Sequence, residues 1–190
     1  MAALINPVYL KGSMVAKLRE AFASSNPKGL QLQGFLDSAA YRQLLVTAGK
    51  PRFTLSEIRD LHSFFEDRES PVSNFFKSRE FISFAAKLAG IRLSKSACSL
   101  KVFTHGRFTL ANDTAKGKVE FLFDMSPGWK SEWGGASNYI TDQGDRLVIP
   151  PLPNNLILVL KQGTSVEGYI KYVNHRAREN GRVMVSGTLS

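Results

Sequence analysis

Beyond about Ile91 the sequence breaks into short strand-like runs separated by turns. The runs cover 99–104, 107–111, 118–125, 147–149, 156–161, 166–173 and 182–189. Gly, Pro, Asn and Asp cluster at 113–117, 127–128, 142–145 and 179–181, the residues that chain reversals require. So many short strands in so short a stretch imply a closed or stacked antiparallel core, a barrel or sandwich such as the jelly roll.

The first ninety residues read differently. Met14, Val15, Leu18, Ala21 and Phe22 recur at helical spacing, and Asn26-Pro27-Lys28-Gly29 ends that helix. Leu30-Gln31-Leu32-Gln33 alternates as a short strand does. Asp37 can cap a helix over 38–48 that stops at Gly49 and Pro51. Thr54-Leu55-Ser56-Glu57 has the form of a capping box and predicts a helix with Ile58, Leu61, Phe64 and Phe65 on one face. Ser78-Arg79-Glu80 opens another helix, with Phe81, Ile82, Phe84, Ala85 and Leu88 inside and Gly90 as its stop. Helices followed by antiparallel strands define an α+β class. The expected organisation is a helical part, 1–90, packed on one face of a strand-built core, 91–190, within one domain.

Composition fits this picture. Of 190 residues 43% are hydrophobic and 22% charged, which excludes wholesale disorder, collagen and coiled coil. The single cysteine, Cys98, has no internal disulfide partner. No run of about 18 apolar residues could span a bilayer, and MAALINPVYLKGS lacks the basic start and apolar core of a signal peptide. A soluble, intracellular protein is expected. The formal charge of +9 permits an acidic partner such as nucleic acid without demonstrating one.

The most distinctive run is Pro127-Gly128-Trp129-Lys130-Ser131-Glu132-Trp133-Gly134-Gly135. Paired glycines allow close backbone approach, and indoles can wall a pocket. The run follows an apolar strand, 119–125, and precedes Pro151-x-Pro153-Asn154-Asn155-Leu156-Ile157-Leu158 and Arg182-x-x-x-Ser186-Gly187. This set resembles the prolyl 4-hydroxylase branch of the iron(II)- and 2-oxoglutarate-dependent oxygenases. Gly34-Phe35-Leu36-Asp37 is similar to the branch's entry strand and helix. Phe75-Phe76-Lys77-Ser78-Arg79-Glu80-Phe81-Ile82-Ser83-Phe84 with Leu88-Ala89-Gly90-Ile91 resembles a segment of the subgroup that hydroxylates a ribosomal protein. The likeness covers about residues 30 to 190.

The resemblance implies a double-stranded β-helix core. It also implies iron held by a His-x-Asp pair and a distant histidine, with 2-oxoglutarate chelating the metal. Arg182 matches the arginine that pairs the far carboxylate of 2-oxoglutarate, and Ser186 the supporting hydroxyl. Phe103, Trp129 and Trp133 are the expected pocket wall. The iron ligands, however, are missing. Where His-x-Asp should stand the chain reads Thr109-Leu110-Ala111-Asn112-Asp113-Thr114, with Ala111 in the histidine's place or, one residue on, Asn112; where the distal histidine should stand it reads Gly163-Thr164-Ser165-Val166-Glu167. Asp113 and Glu167 are the candidate metal-binding carboxylates left, although an all-oxygen pair suits Mg, Ca or Mn better than iron. The three histidines, His62, His105 and His175, lack the His-x-Asp spacing.

The expected function is that of a degenerate oxygenase-fold protein. It binds a carboxylate such as 2-oxoglutarate, or a protein or nucleoprotein partner, rather than hydroxylating, and iron is not expected. The rival readings are an active hydroxylase with a rearranged metal site built from Asp113, Glu167 and His105, and a basic structural subunit of a larger assembly. A nucleic-acid surface, if present, is expected on the last strands. There Lys161, Lys171, Arg176, Arg178 and Arg182 accompany Tyr169 and Tyr172, with Tyr169 and Lys171 on one strand face and Tyr172 on the other.

Overall fold

The computed structural model describes residues 4–48, 51–110 and 117–190. Among them the helices are α1 (Gly12–Ser24), α2 (Ser38–Thr47), α3 (Ser73–Phe76) and α4 (Arg79–Ala89). The strands are β1 (Gly29–Gln33), β2 (Thr54–Ile58), β3 (His62–Asp67), β4 (Ser96–Phe103), β5 (Phe108–Thr109) and β6 (Val119–Asp124). They continue with β7 (Ser137–Ile140), β8 (Arg146–Ile149), β9 (Asn155–Leu160), β10 (Glu167–Ile170) and β11 (Arg182–Leu189).

The strands form two antiparallel sheets. The larger runs β1-β9-β6-β11-β4-β3-β2, with β5 paired to β3, and the smaller runs β10-β7-β8. Every pairing within them is antiparallel. Two curled antiparallel sheets with helices on one face are the double-stranded β-helix expected from the strand pattern.

Period-two alternation explains why β6 and β9 are buried on both sides. On β6, Val119, Phe121 and Phe123 face an outer core, while Leu122 faces an inner core between the sheets. On β9, Leu156 and Leu158 face out, and Ile157 and Val159 face in. The outer core is dominated by phenylalanines: Phe76 stacks on Phe121 at 5.5 Å, and Phe35 meets Phe84 at 5.5 Å. Helix α4 supplies much of this layer through Phe81, Ile82, Phe84, Ala85 and Leu88. Its start is fixed by Ser78, whose Oγ accepts from the Phe81 amide at 3.2 Å, and its end by Gly90 in the left-handed region.

Three expectations need correction. The helix expected from the Thr54 capping box is instead the β2–β3 hairpin. The segment pairs Phe65 with Val102 on β4, and Asp60 closes the turn at φ +60°. A local cap signal yields here to long-range pairing, which hydrogen-bonds the segment into the large sheet. Strand β7 has no counterpart in the expected set, because Ser-Asn-Tyr-Ile reads as polar. Its inward residues Ser137 and Tyr139 are nonetheless buried. The strand expected over 166–173 stops at Ile170, so Tyr169, Lys171 and Tyr172 line one surface groove rather than two faces. Cys98 is a free, partly buried thiol whose pKa burial pushes up. No helix among the described residues is long and apolar enough to cross a membrane.

Candidate functional site

The inner face of the large sheet carries buried polar side chains among its apolar ones. Alternation on β6 turns Glu120 and Asp124 inward on either side of Leu122. On β11 it turns Arg182 and Ser186 inward around Met184, and on β9 it turns Asn155 inward beside Ile157. Strand register then sets the neighbours: Asp124 lies opposite both Met184 and Asn155, and Arg182 lies opposite Phe103.

Arg182 and Asp124 are both completely buried and form an ion pair, Nε donating to Oδ2 at 2.7 Å. The second Asp124 oxygen accepts from the Ser126 amide at 2.9 Å. Arg182 Nη1 donates to Ser137 Oγ at 2.9 Å and to the Gly135 carbonyl. Nη2 of Arg182, and both amide atoms of the fully buried Asn155, have no hydrogen-bond partner among the described residues. The guanidinium is thus held on three sides by the protein itself.

Beside this knot lies a cavity of about 80 Å3. Its wall includes Lys101, Phe103, Glu120, Ser137, Tyr139 and Ser186. Tyr139 donates to Glu120 at 3.3 Å, and Lys161 Nζ stands 3.7 Å from the other Glu120 oxygen. Burial, and then the charge of Glu120, hold the Tyr139 hydroxyl well above its ordinary pKa, so it stays a donor. Burial also raises Glu120, against the opposing pull of Lys161. A raised carboxyl favours the folded state most below the ordinary glutamate range, and that contribution is lost as pH rises through the raised value. Glu120→Gln should therefore gain on the wild type as pH increases from about 4 to neutrality. Thermal midpoints of both proteins across that range check this, and a constant difference would refute it.

The residues singled out in the sequence divide clearly. Phe103 and Ser186 share the cavity wall, and Arg182 lies behind Ser137 rather than on the wall. Trp129 and Trp133 contact each other edge to face at 5.2 Å and pack against the inner core without lining the cavity. Trp129 donates to the Gly134 carbonyl at 3.1 Å and flanks Gly135 beside the stem of Arg182. Glu167 is exposed, while its neighbour Val166 is buried in the inner apolar cluster. Asp113 lies outside the described residues. His62 is buried on β3 against Phe64, at 4.8 Å between rings. His105 and His175 pair at 6.5 Å on the surface. Lys161 and Arg182 belong to the interior and not to a basic surface. Asp124, Glu120 and Tyr139 are the residues that sequence reasoning passed over. The available signal was the alternation of 120, 122 and 124, which puts two carboxylates on the concealed face of an apolar strand.

The fold is that of the prolyl-hydroxylase-like 2-oxoglutarate and iron(II) oxygenases. The chain belongs to the family described as oxoglutarate and iron-dependent oxygenase degradation C-term, whose sequence profile matches residues 49–189. It is 30% identical over 92 residues to the prolyl 3-hydroxylase OGFOD1 of Mus musculus, covering 46% of this chain and 17% of that one. Its identity to the same enzyme of Xenopus laevis is 24% over 91 residues, covering 44% and 18%. The matched part thus spans less than a fifth of these relatives. Among solved structures, a prolyl 4-hydroxylase of Pseudomonas putida superposes with a TM-score of 0.72 at 13% identity, over 93% of this chain and 98% of that one. A prolyl hydroxylase of Trichoplax adhaerens, in complex with a hypoxia inducible factor oxygen degradation domain peptide fragment, gives 0.71 at 13% identity over 93% and 89%. At these identities the structural likeness establishes the fold alone.

Proposed function

We propose that this chain is an oxygenase-fold domain that acts by binding and not by hydroxylation. Arg182 carries the reading. The arginine that the resemblance assigns to the 2-oxoglutarate carboxylate is already neutralised by Asp124 at 2.7 Å, with neither group exposed. An incoming carboxylate would meet Asp124 as a like charge in a water-poor interior, where repulsion is weakly screened. The neighbouring cavity, at about 80 Å3, is small beside the roughly 300–1,000 Å3 of ordinary ligand pockets.

The residues present do not fit the family's iron either. No histidine stands over 109–114, where the resemblance expects the first ligand pair, Val166 is committed to the apolar inner core, and Glu167 faces solvent. A retained carboxylate site is the second reading, favoured by the unpartnered Nη2 of Arg182 and by Ser186 on the cavity wall.

Calorimetric titration of the metal-stripped protein with 2-oxoglutarate, with and without Mn(II), separates these readings. A working prolyl hydroxylase titrated in parallel serves as the positive control. No heat of binding is expected in either condition. Binding without metal would select the carboxylate-site reading. Metal-dependent binding, with decarboxylation of 2-oxoglutarate on adding iron, would overturn the proposal in favour of an active enzyme.

A further inference from the structure

A surface groove of about 460 Å3 opens where β5 approaches β10, lined by Phe108, Leu110, Tyr169, Lys171 and Tyr172. It shares Thr109, Tyr169 and Ile170 with the wall of the interior cavity but faces solvent, with Tyr172 61% and Leu110 40% exposed. Phe108, Tyr169 and Tyr172 neither stack on another ring nor lie under a cation among the described residues; Tyr172 is exposed, and Phe108 and Tyr169 are half-buried in the groove wall. Tyr169 is steadied from one end, its hydroxyl accepting from Arg146 at 3.0 Å.

The same chain segment continues into exposed cations. Lys171 lies in the groove, and Arg176 and Arg178 follow it; none of the three has an ion-pair partner among the described residues. The patch is continuous through Gly106 in the groove, His105 beside it, and the His175 ring 6.5 Å from His105. Arg107 is a weaker contributor, because Glu57 stands 3.4 Å from it.

Main-chain pairing is not what this surface offers. The Ile170 amide is taken by Thr109 Oγ1 at 2.8 Å, that of Lys171 by the Ala136 carbonyl, and that of Leu110 by the Leu61 carbonyl. A peptide adding itself as a strand would find these donors occupied. Groove-lining rings beside cations without an ion-pair partner among the described residues instead match a polyanion that carries planar bases.

We propose that this groove docks single-stranded nucleic acid, with bases stacking on Tyr172, Tyr169 and Phe108 and phosphates on Lys171, Arg176 and Arg178. The surface does not depend on the fate of the oxygenase site: the titration above and the one below can fail separately.

The test is fluorescence anisotropy of a labelled single-stranded oligouridylate of about a dozen nucleotides, titrated with the protein from about 50 mM salt upward. The wild type should bind with a steep salt dependence. Tyr172→Ala, at an exposed position, should leave the thermal midpoint unchanged yet weaken binding about five- to a hundred-fold, with Tyr172→Phe restoring it. The double variant Lys171→Ala/Arg176→Ala should flatten the slope of log affinity against log salt by about 1.4. No binding at low salt would overturn the proposal, and so would equal affinity in Tyr172→Ala. An acidic aromatic peptide that binds this face where the oligonucleotide does not would reassign it to a protein partner.

Discussion

Asp124→Ala should destabilise the protein by about 3–5 kcal/mol, the typical consequence of stripping one partner from a buried ion pair. The aspartate is completely buried, accepts from the Ser126 amide and pairs with Arg182 at 2.7 Å. Its removal leaves a guanidinium charge enclosed between two sheets with only Ser137 and the Gly135 carbonyl to solvate it. The double variant Asp124→Leu/Arg182→Met tests the cause. It removes both charges, so most of the loss should return, since buried pairs replaced by apolar groups are often neutral or stabilising. Urea unfolding at neutral pH reads both effects as shifts in midpoint at constant slope. A loss under about 1 kcal/mol would put the pair in the class of screened surface bridges. It would also remove the main support for treating Arg182 as a structural residue.

That outcome bears on function, because two uses of Arg182 make different demands on Asp124. An arginine kept for a ligand is best left available, with water or the ligand completing its hydrogen bonds. An arginine kept for folding is best enclosed by a counter-charge, and Asp124 and Ser137 enclose it here. The unpartnered Nη2, facing the same interior as the unpartnered Asn155 amide, is the one direction left open. If 2-oxoglutarate has any purchase on this protein, that is where its effect on the urea midpoint would originate.

Much of the fold was legible because alternation and capping are local. Residues 118–125 and 156–161 read as strands from their apolar pattern, within a residue of the observed β6 and β9, and Ser78 and Gly90 marked both ends of α4. The 54–67 segment was misread because its cap motif is local, whereas the pairing with β4 that makes it a hairpin is long-range. Strand β7 was missed because its inward Ser137 serves Arg182, so its burial depends on a residue 45 positions away. The site was half legible for the same reason. Arg182 and Ser186 could be picked out by their match to the family motif, but the partner that changes the meaning of Arg182 sits on another strand. Its inward orientation follows only once both faces of β6 are known to be buried.

Gly134→Ala should be the most damaging single methyl in the Trp129–Gly135 motif. Gly134 has φ +76° and ψ −146°, a region that glycine alone occupies readily and that costs other residues about 1–3 kcal/mol. A Cβ there would also sit 2.6 Å from the Tyr172 carbonyl oxygen, and backbone cannot rotate away as a side chain can. Overpacking of this kind costs about 1–3 kcal/mol more, so a total of about 2–6 kcal/mol is expected. The Tyr172 carbonyl is already held by the Gly135 amide at 3.2 Å, and the Trp133 carbonyl by the Asn174 amide at 2.9 Å. Relief of the clash therefore has to separate the two segments that close the end of the barrel beneath Arg182. Gly128→Ala is the matched control: it shares a positive φ of 66°, but a Cβ there meets nothing within 4 Å. It should cost only the conformational part, about 1–2 kcal/mol. At roughly 2–4 °C per kcal/mol for a chain of this size, the two melting curves should be plainly separated. Equal midpoints would mean that Gly134 is retained for its dihedral angles alone, and that the close approach to Tyr172 is not what the double glycine provides.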